Sequence, residues 1–110
     1  IYRDILSKAA YSCSGPSCHG RTTNLADVGN LSLSTPVAAY AGLVGKVSDS
    51  TSCPGKVLVK KGDAKASMLV TKLRDDTVDC GTLMPLGGDP ISDPDLARIV
   101  TWINAGACNN

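Results

Sequence analysis

With 110 residues, 43% of them hydrophobic and 19% charged, the chain has the size of one globular domain, residues 1–110, and a composition that is neither disordered nor fibrous. Its formal net charge of +1 offers no attraction to nucleic acid or to an anionic membrane surface. No run approaches the roughly 20 apolar residues of a membrane-spanning helix. Aromatic side chains normally supply much of the buried area of a small core, yet here they are only Trp102, Tyr2, Tyr11 and Tyr40. Such an interior must be filled by aliphatic residues or by something that is not protein. The first residue is Ile1 rather than Met, as expected where an N-terminal segment has been removed.

In chain order, residues 1–11 place Ile5, Leu6, Ala9 and Ala10 at helical spacing and predict a first helix. Gly15 and Pro16 then force a tight, non-helical segment, and residues 20–33 read as polar loop. Ser34 or Thr35 can cap a short helix that starts at Pro36 and ends near Gly42. Residues 44–62 are irregular, with a strand-like Val-Leu-Val at 57–59. Asp63 is placed to cap a helix running to about Arg74, with Leu69, Val70 and Leu73 on its apolar face. A long loop follows over 75–91, whose Asp75, Asp76 and Asp79 read as solvated. Ser92 then caps a last helix with Pro94 tolerated in its first turn and Asp93 and Asp95 complementing its dipole. Its apolar face is Leu96, Ile99, Val100 and Ile103, and Gly106 is a natural stop. The expectation is a mostly helical chain with long loops between its elements.

The sharpest motif is Cys13-Ser14-Gly15-Pro16-Ser17-Cys18-His19. A Cys followed directly by His, with a second Cys shortly upstream, is the pattern of covalent haem attachment. Two thiols add across the vinyl groups on one porphyrin edge, and the adjacent imidazole is carried under the ring to the iron. His19 is the only histidine, so it has no rival as that ligand. The usual spacing puts two residues between the cysteines; here there are four, which Gly15 and Pro16 can bulge away from the ring. A single thioether through Cys18 is the variant of this expectation. Two other arrangements use the same residues. One is a zinc site of Cys13, Cys18, His19 and one of Cys53, Cys80 or Cys108, which lacks a second closely spaced ligand pair. The other is a plain Cys13–Cys18 disulfide beside a surface His19.

About 65 residues after His19, Met84-Pro85 lies in a Gly-flanked loop. A thioether is a soft, neutral ligand suited to haem iron, and Pro85 stiffens the segment that carries it. Met84 is therefore the expected second axial ligand. Met68 is its competitor, read as a core residue beside Leu69.

The order of a helix, C-x4-C-H, a long loop, short helices, a Met-Pro loop and a terminal helix closing on Trp102-Ile103-Asn104-Ala105-Gly106 resembles class I cytochrome c. The segments VKKGDAKASMLVTKLR, CGTLMPLGG and SDPDLARIVTWINAGA resemble, more narrowly, cytochrome c-like domains of secreted bacterial proteins. The resemblance spans nearly the whole chain. It implies an all-α, cytochrome c-like fold with crossed N- and C-terminal helices around one covalently bound haem c. It also implies His19 and Met84 as axial ligands, and Trp102 packed near the haem or on the first helix. Cytochrome maturation belongs to an oxidising compartment, the periplasm or the exterior, where disulfides persist. Similar domains carry cysteines at the places of Cys53 and Cys80, which favours a Cys53–Cys80 bridge stapling the Met84 loop; Cys80–Cys108 is the competing pair.

The expected function is one-electron transfer, not catalysis, between redox protein partners or between sister haem domains. The alternatives are a five-coordinate haem that binds peroxide or gases, and a self-assembling cytochrome linked through Cys108. Near-neutral charge predicts weak electrostatic docking to any partner.

Overall fold

The protein is described by a computed structural model, covering residues 1–74 and 80–109. The expected solvated loop residues Asp75, Asp76 and Asp79 lie outside the described residues. Three α-helices are present among the described residues: α1 (Pro36–Leu43), α2 (Met68–Leu73) and α3 (Asp93–Asn104). A five-residue π-type turn at Tyr2–Leu6 and a 3-10 turn at Leu25–Val28 precede them. Strand pairing among the described residues is limited to two isolated bridges, Val44 with Val59 and Val47 with Val57.

This architecture overturns the expected all-α, cytochrome c-like fold. Most of the chain is loop, and no N-terminal α-helix forms to cross α3. One local and two long-range interactions accompany the missing helix. The Ser7 hydroxyl donates to the Arg3 carbonyl, taking an acceptor from the helical ladder. Beyond it, Lys8 and Tyr11 turn toward Asp95, 87 and 84 residues away, and Ser12 takes a left-handed φ of 55°.

The helix expected from Asp63 is also shortened, for a related reason. Asp63 Oδ1 accepts from the Ala66 amide at 3.1 Å, which closes a single turn and lowers the Asp63 pKa. The buried Ser67 hydroxyl donates to the Asp63 carbonyl and accepts from the Lys60 amide, so it does not cap α2. α1 and α3 match their sequence signals closely. Thr35 Oγ1 accepts from the Ala38 amide, Ser92 Oγ accepts from the Asp95 amide, and a proline sits in each first turn.

α2 packs on α3, and the N-terminal turn packs on α1. The aliphatic core joins Ile5, Leu6, Leu33, Leu43, Val59, Val70, Ile99 and Ile103, with Tyr11 as its one fully buried aromatic residue. The end of α3 also anchors the middle of the chain: the Ile103 carbonyl accepts from Gly62, and the Asn104 side chain accepts from Ala64. Ile103→Ala is therefore expected to cost about 2–5 kcal/mol in urea unfolding, because the side chain has no exposed surface and its neighbours are tied in place. Val37→Ala, at a position 77% exposed, is expected to stay within about 0.5 kcal/mol of the parent.

Candidate functional site

The residues 13–20 form a closed turn stitched by backbone hydrogen bonds. The Cys13 carbonyl accepts from His19, and the Gly15 carbonyl accepts from both Cys18 and Gly20. Cys18 and His19 are thereby folded back over Cys13. Gly20 is required at this closure, because a Cβ there would overlap the Ser14 carbonyl oxygen. Pro16 and Ser17 are exposed, so the extra residues of the four-residue spacing bulge toward solvent.

The His19 ring is held from outside the turn. Its Nδ1 lies 3.1 Å from the Leu31 carbonyl oxygen, and the His19 carbonyl accepts from Leu33 at 2.5 Å. A carbonyl can only accept, so in the neutral ring Nδ1 carries the proton and Nε2 keeps the lone pair. Leu33 is fixed in turn by the Tyr2 hydroxyl, which donates to its carbonyl at 3.0 Å. Metal-binding imidazoles are typically oriented by such a second hydrogen bond.

Cys13 and Cys18 are both free and half-buried. Burial raises the Cys13 pKa, so its thiol is protonated at neutral pH. The structure pairs Cys53 with Cys80, with Cα atoms 5.5 Å apart, which rules out the competing Cys80–Cys108 bridge. Cys108 is free and exposed, beside an open groove lined by Ile1, Arg98 and Trp102. Trp102 is half-buried, and its indole N–H donates to the Cys108 carbonyl.

Met84 lies on a separate segment. Its amide donates to the Lys72 carbonyl at 2.8 Å, at the end of α2. The Lys72 ammonium donates to the carbonyls of Cys80 and Thr82, and the disulfide anchors Cys80 from behind. On the far side of the loop the Asp89 amide donates to Ala10, and Gly88 presses against Tyr11 so closely that a Cβ would lie 2.7 Å from its carbonyl oxygen. The Met84 loop thus spans from α2 to residues 10 and 11, directly before Cys13. Met68, the competing methionine, opens α2 half-buried, with its amide bonded to Val57.

Where residues 8–11 meet α3, a polar cluster closes the region. The Tyr11 hydroxyl donates to Asp95 Oδ2 at 2.6 Å and accepts from the Ser92 amide at 3.2 Å. Lys8 completes an ion pair with the same carboxylate oxygen at 3.0 Å, and Arg98 lies 3.8 Å from the other. The Tyr11 hydrogen bond, and then that from Lys8, hold the Asp95 pKa below the ordinary carboxylate range; Asp95 in turn raises that of Lys8. A carboxylate with a lowered folded pKa stabilises the protein fully above its unfolded pKa and loses that contribution as pH falls through the folded value. Stability is accordingly expected to drop below the ordinary aspartate range, and Asp95→Asn to flatten that part of an acid-unfolding curve. An unchanged acid limb in the variant would contradict this assignment.

The sequence motif identifies Cys13, Cys18, His19 and Met84, but not Leu31, Lys72, Tyr11 or Asp95, which hold them. Among the described residues no three His, Cys, Asp or Glu side chains gather as a metal cluster. A zinc site needs such convergence. A porphyrin instead needs thiols at its edge and an imidazole at its centre, which one turn supplies without bringing their donor atoms together. The turn carries two free thiols and one imidazole within residues 13–19, the donor types that covalent haem attachment uses. No helix among the described residues is long and apolar enough to cross a membrane. No protein-family model, no curated protein and no solved structure matches the chain.

Proposed function

We propose that the chain is a c-type haem protein that carries single electrons, with one haem held by Cys13, Cys18 and His19, and with Met84 as the second axial ligand. The observation that carries this reading is the His19 ring, whose Nδ1 is committed to the Leu31 carbonyl while two free thiols lie in the same turn. The haem, when bound, supplies the one-electron couple. The chain supplies the rest: Leu31 sets the ring orientation and leaves Nε2 free to bind metal, and the closed turn fixes both thiols. α2, the disulfide and residues 10 and 11 together hold the Met84 loop. Rigid fixing of both ligand segments suits outer-sphere transfer, in which the ligand set stays the same in both oxidation states.

The same reading places the protein in the periplasm or outside the cell, where both thioether attachment and the Cys53–Cys80 bridge are stable. Its partners would be redox proteins or sister haem domains, docking with little help from charge.

The test is an optical spectrum of the purified protein, oxidised and reduced, after acid–acetone extraction. Retained haem, a sharp reduced α band and a weak iron–sulfur charge-transfer band at the red edge of the visible are expected. Retained haem without the sulfur band would remove Met84 from the ligand set and move the function to peroxide or gas binding. Absence of retained haem would overturn the proposal.

A further inference from the structure

Tyr11 touches three segments that the haem reading needs in register. It lies two residues before Cys13, on the chain that leads into the His19 turn. Its carbonyl faces Gly88 at the exit of the Met84 loop, and the neighbouring Ala10 carbonyl accepts from Asp89. Its hydroxyl is bonded to Asp95 and to Ser92, which cap and open α3. Tyr11 is only 4% exposed, and its hydroxyl bond to Asp95 is buried away from bulk water. The Lys8 ammonium, 4.8 Å from the ring centroid and paired to Asp95, secures the same corner.

From this we infer that Tyr11 is a positioning residue for the sixth ligand: its hydroxyl, clamped by Ser92 and Asp95, sets where the Met84 loop ends relative to the Cys13–His19 turn. The inference rests on the haem reading above and adds a residue that no haem motif contains. The Cys13–His19 turn is closed by its own backbone bonds, which the Tyr11 hydroxyl does not supply. Loss of the Tyr11 hydroxyl therefore acts first on the exit of the Met84 loop, at residues 88–92. It leaves the Asp95 carboxylate short of its closest donor and frees the chain at residues 88–92, so the sulfur spends more time away from the iron.

Imidazole, which binds ferric iron only where Met84 has left, reads that population directly, since apparent affinity scales with the fraction of binding-competent protein. The experiment titrates the haem-loaded protein with imidazole in three forms: wild type, Tyr11→Phe and Tyr40→Phe. Tyr40→Phe is the matched control, because it removes a hydroxyl bonded to the Ala107 carbonyl at 3.1 Å, away from the Met84 loop. Tyr11→Phe is expected to keep its haem and to bind imidazole roughly tenfold more tightly, the change that loss of one strong hydrogen bond brings. Tyr40→Phe is expected to stay within about twofold of wild type, as an additive, distant site should. Should Tyr11→Phe fail to fold, Asp95→Asn weakens the same clamp, and its imidazole affinity is expected to rise in the same direction.

Wild-type affinity in Tyr11→Phe, or an equal rise in both tyrosine variants, would overturn the positioning role while leaving the haem reading intact. A wild-type protein with haem but no sulfur band would also overturn it. A wild-type protein without haem would instead sink the haem reading, and the inference with it.

Discussion

Exchanging His19 for alanine is expected to leave thioether-bound haem on the chain but to change its spectrum, because the iron loses its imidazole, while the polypeptide stays folded. His19 is the only histidine, and no other imidazole can take its place. The structural cost is small. The side chain contributes one hydrogen bond, to the Leu31 carbonyl, worth about 1 kcal/mol. The backbone bonds that tie the turn together, from His19 to Cys13 and from Leu33 to His19, survive the substitution. Circular dichroism close to wild type with an altered haem spectrum is the expected pair of results. An unchanged haem spectrum in His19→Ala would contradict the assignment of His19 as ligand.

The second large effect is expected from the disulfide. Cys53 and Cys80 close a loop with a sequence separation of 27, and opening it frees the unfolded chain by roughly 3–4 kcal/mol in the entropy model. That is a large share of the roughly 5–15 kcal/mol by which a domain is stable. Cys53→Ser combined with Cys80→Ser should therefore shift the urea midpoint strongly downward. The effect should also be local. Cys80 sits beside the Lys72 ammonium, which gathers the carbonyls of Cys80 and Thr82 just before Met84. On the proposed function, the double variant loses intensity in the iron–sulfur band before it unfolds. A urea midpoint equal to wild type would show that the bridge spans residues already held together by other contacts.

Much of the site was legible in the sequence because its chemistry is local. Cys18-His19 places a thiol and an imidazole on consecutive residues, and no tertiary contact is needed to see it. The caps of α1 and α3 are equally local: a hydroxyl before a proline-bearing first turn reads correctly at Thr35 and Ser92. The Cys53–Cys80 pair was favoured through resemblance to related domains, and the structure forms it.

What stayed hidden is non-local. The expected first helix fails because Tyr11 is drawn to a carboxylate 84 residues away, a contact that periodicity over residues 1–11 does not encode. Asp95 read as an ordinary acidic residue at a helix start; in the fold it is a buried acceptor shared by Tyr11 and Lys8. The Asp63 cap is real but closes one turn only, because Ser67 turns its hydroxyl back to the Asp63 carbonyl. These losses explain why an all-α expectation ends in a fold dominated by loops. Leu31 could not be found at all from side-chain chemistry, since its contribution is a backbone carbonyl.

The central claim is that Cys13 and Cys18 carry one haem beside His19. Its most direct test is the intact mass of the protein after alkylation in denaturant without reductant. The chain holds five cysteines, of which Cys53 and Cys80 are bridged and Cys13, Cys18 and Cys108 are free. A mass increased by one haem and by a single alkyl group, on Cys108, is the predicted result. One haem with two alkyl groups would show a single thioether. A mass carrying no haem and three alkyl groups would contradict the account.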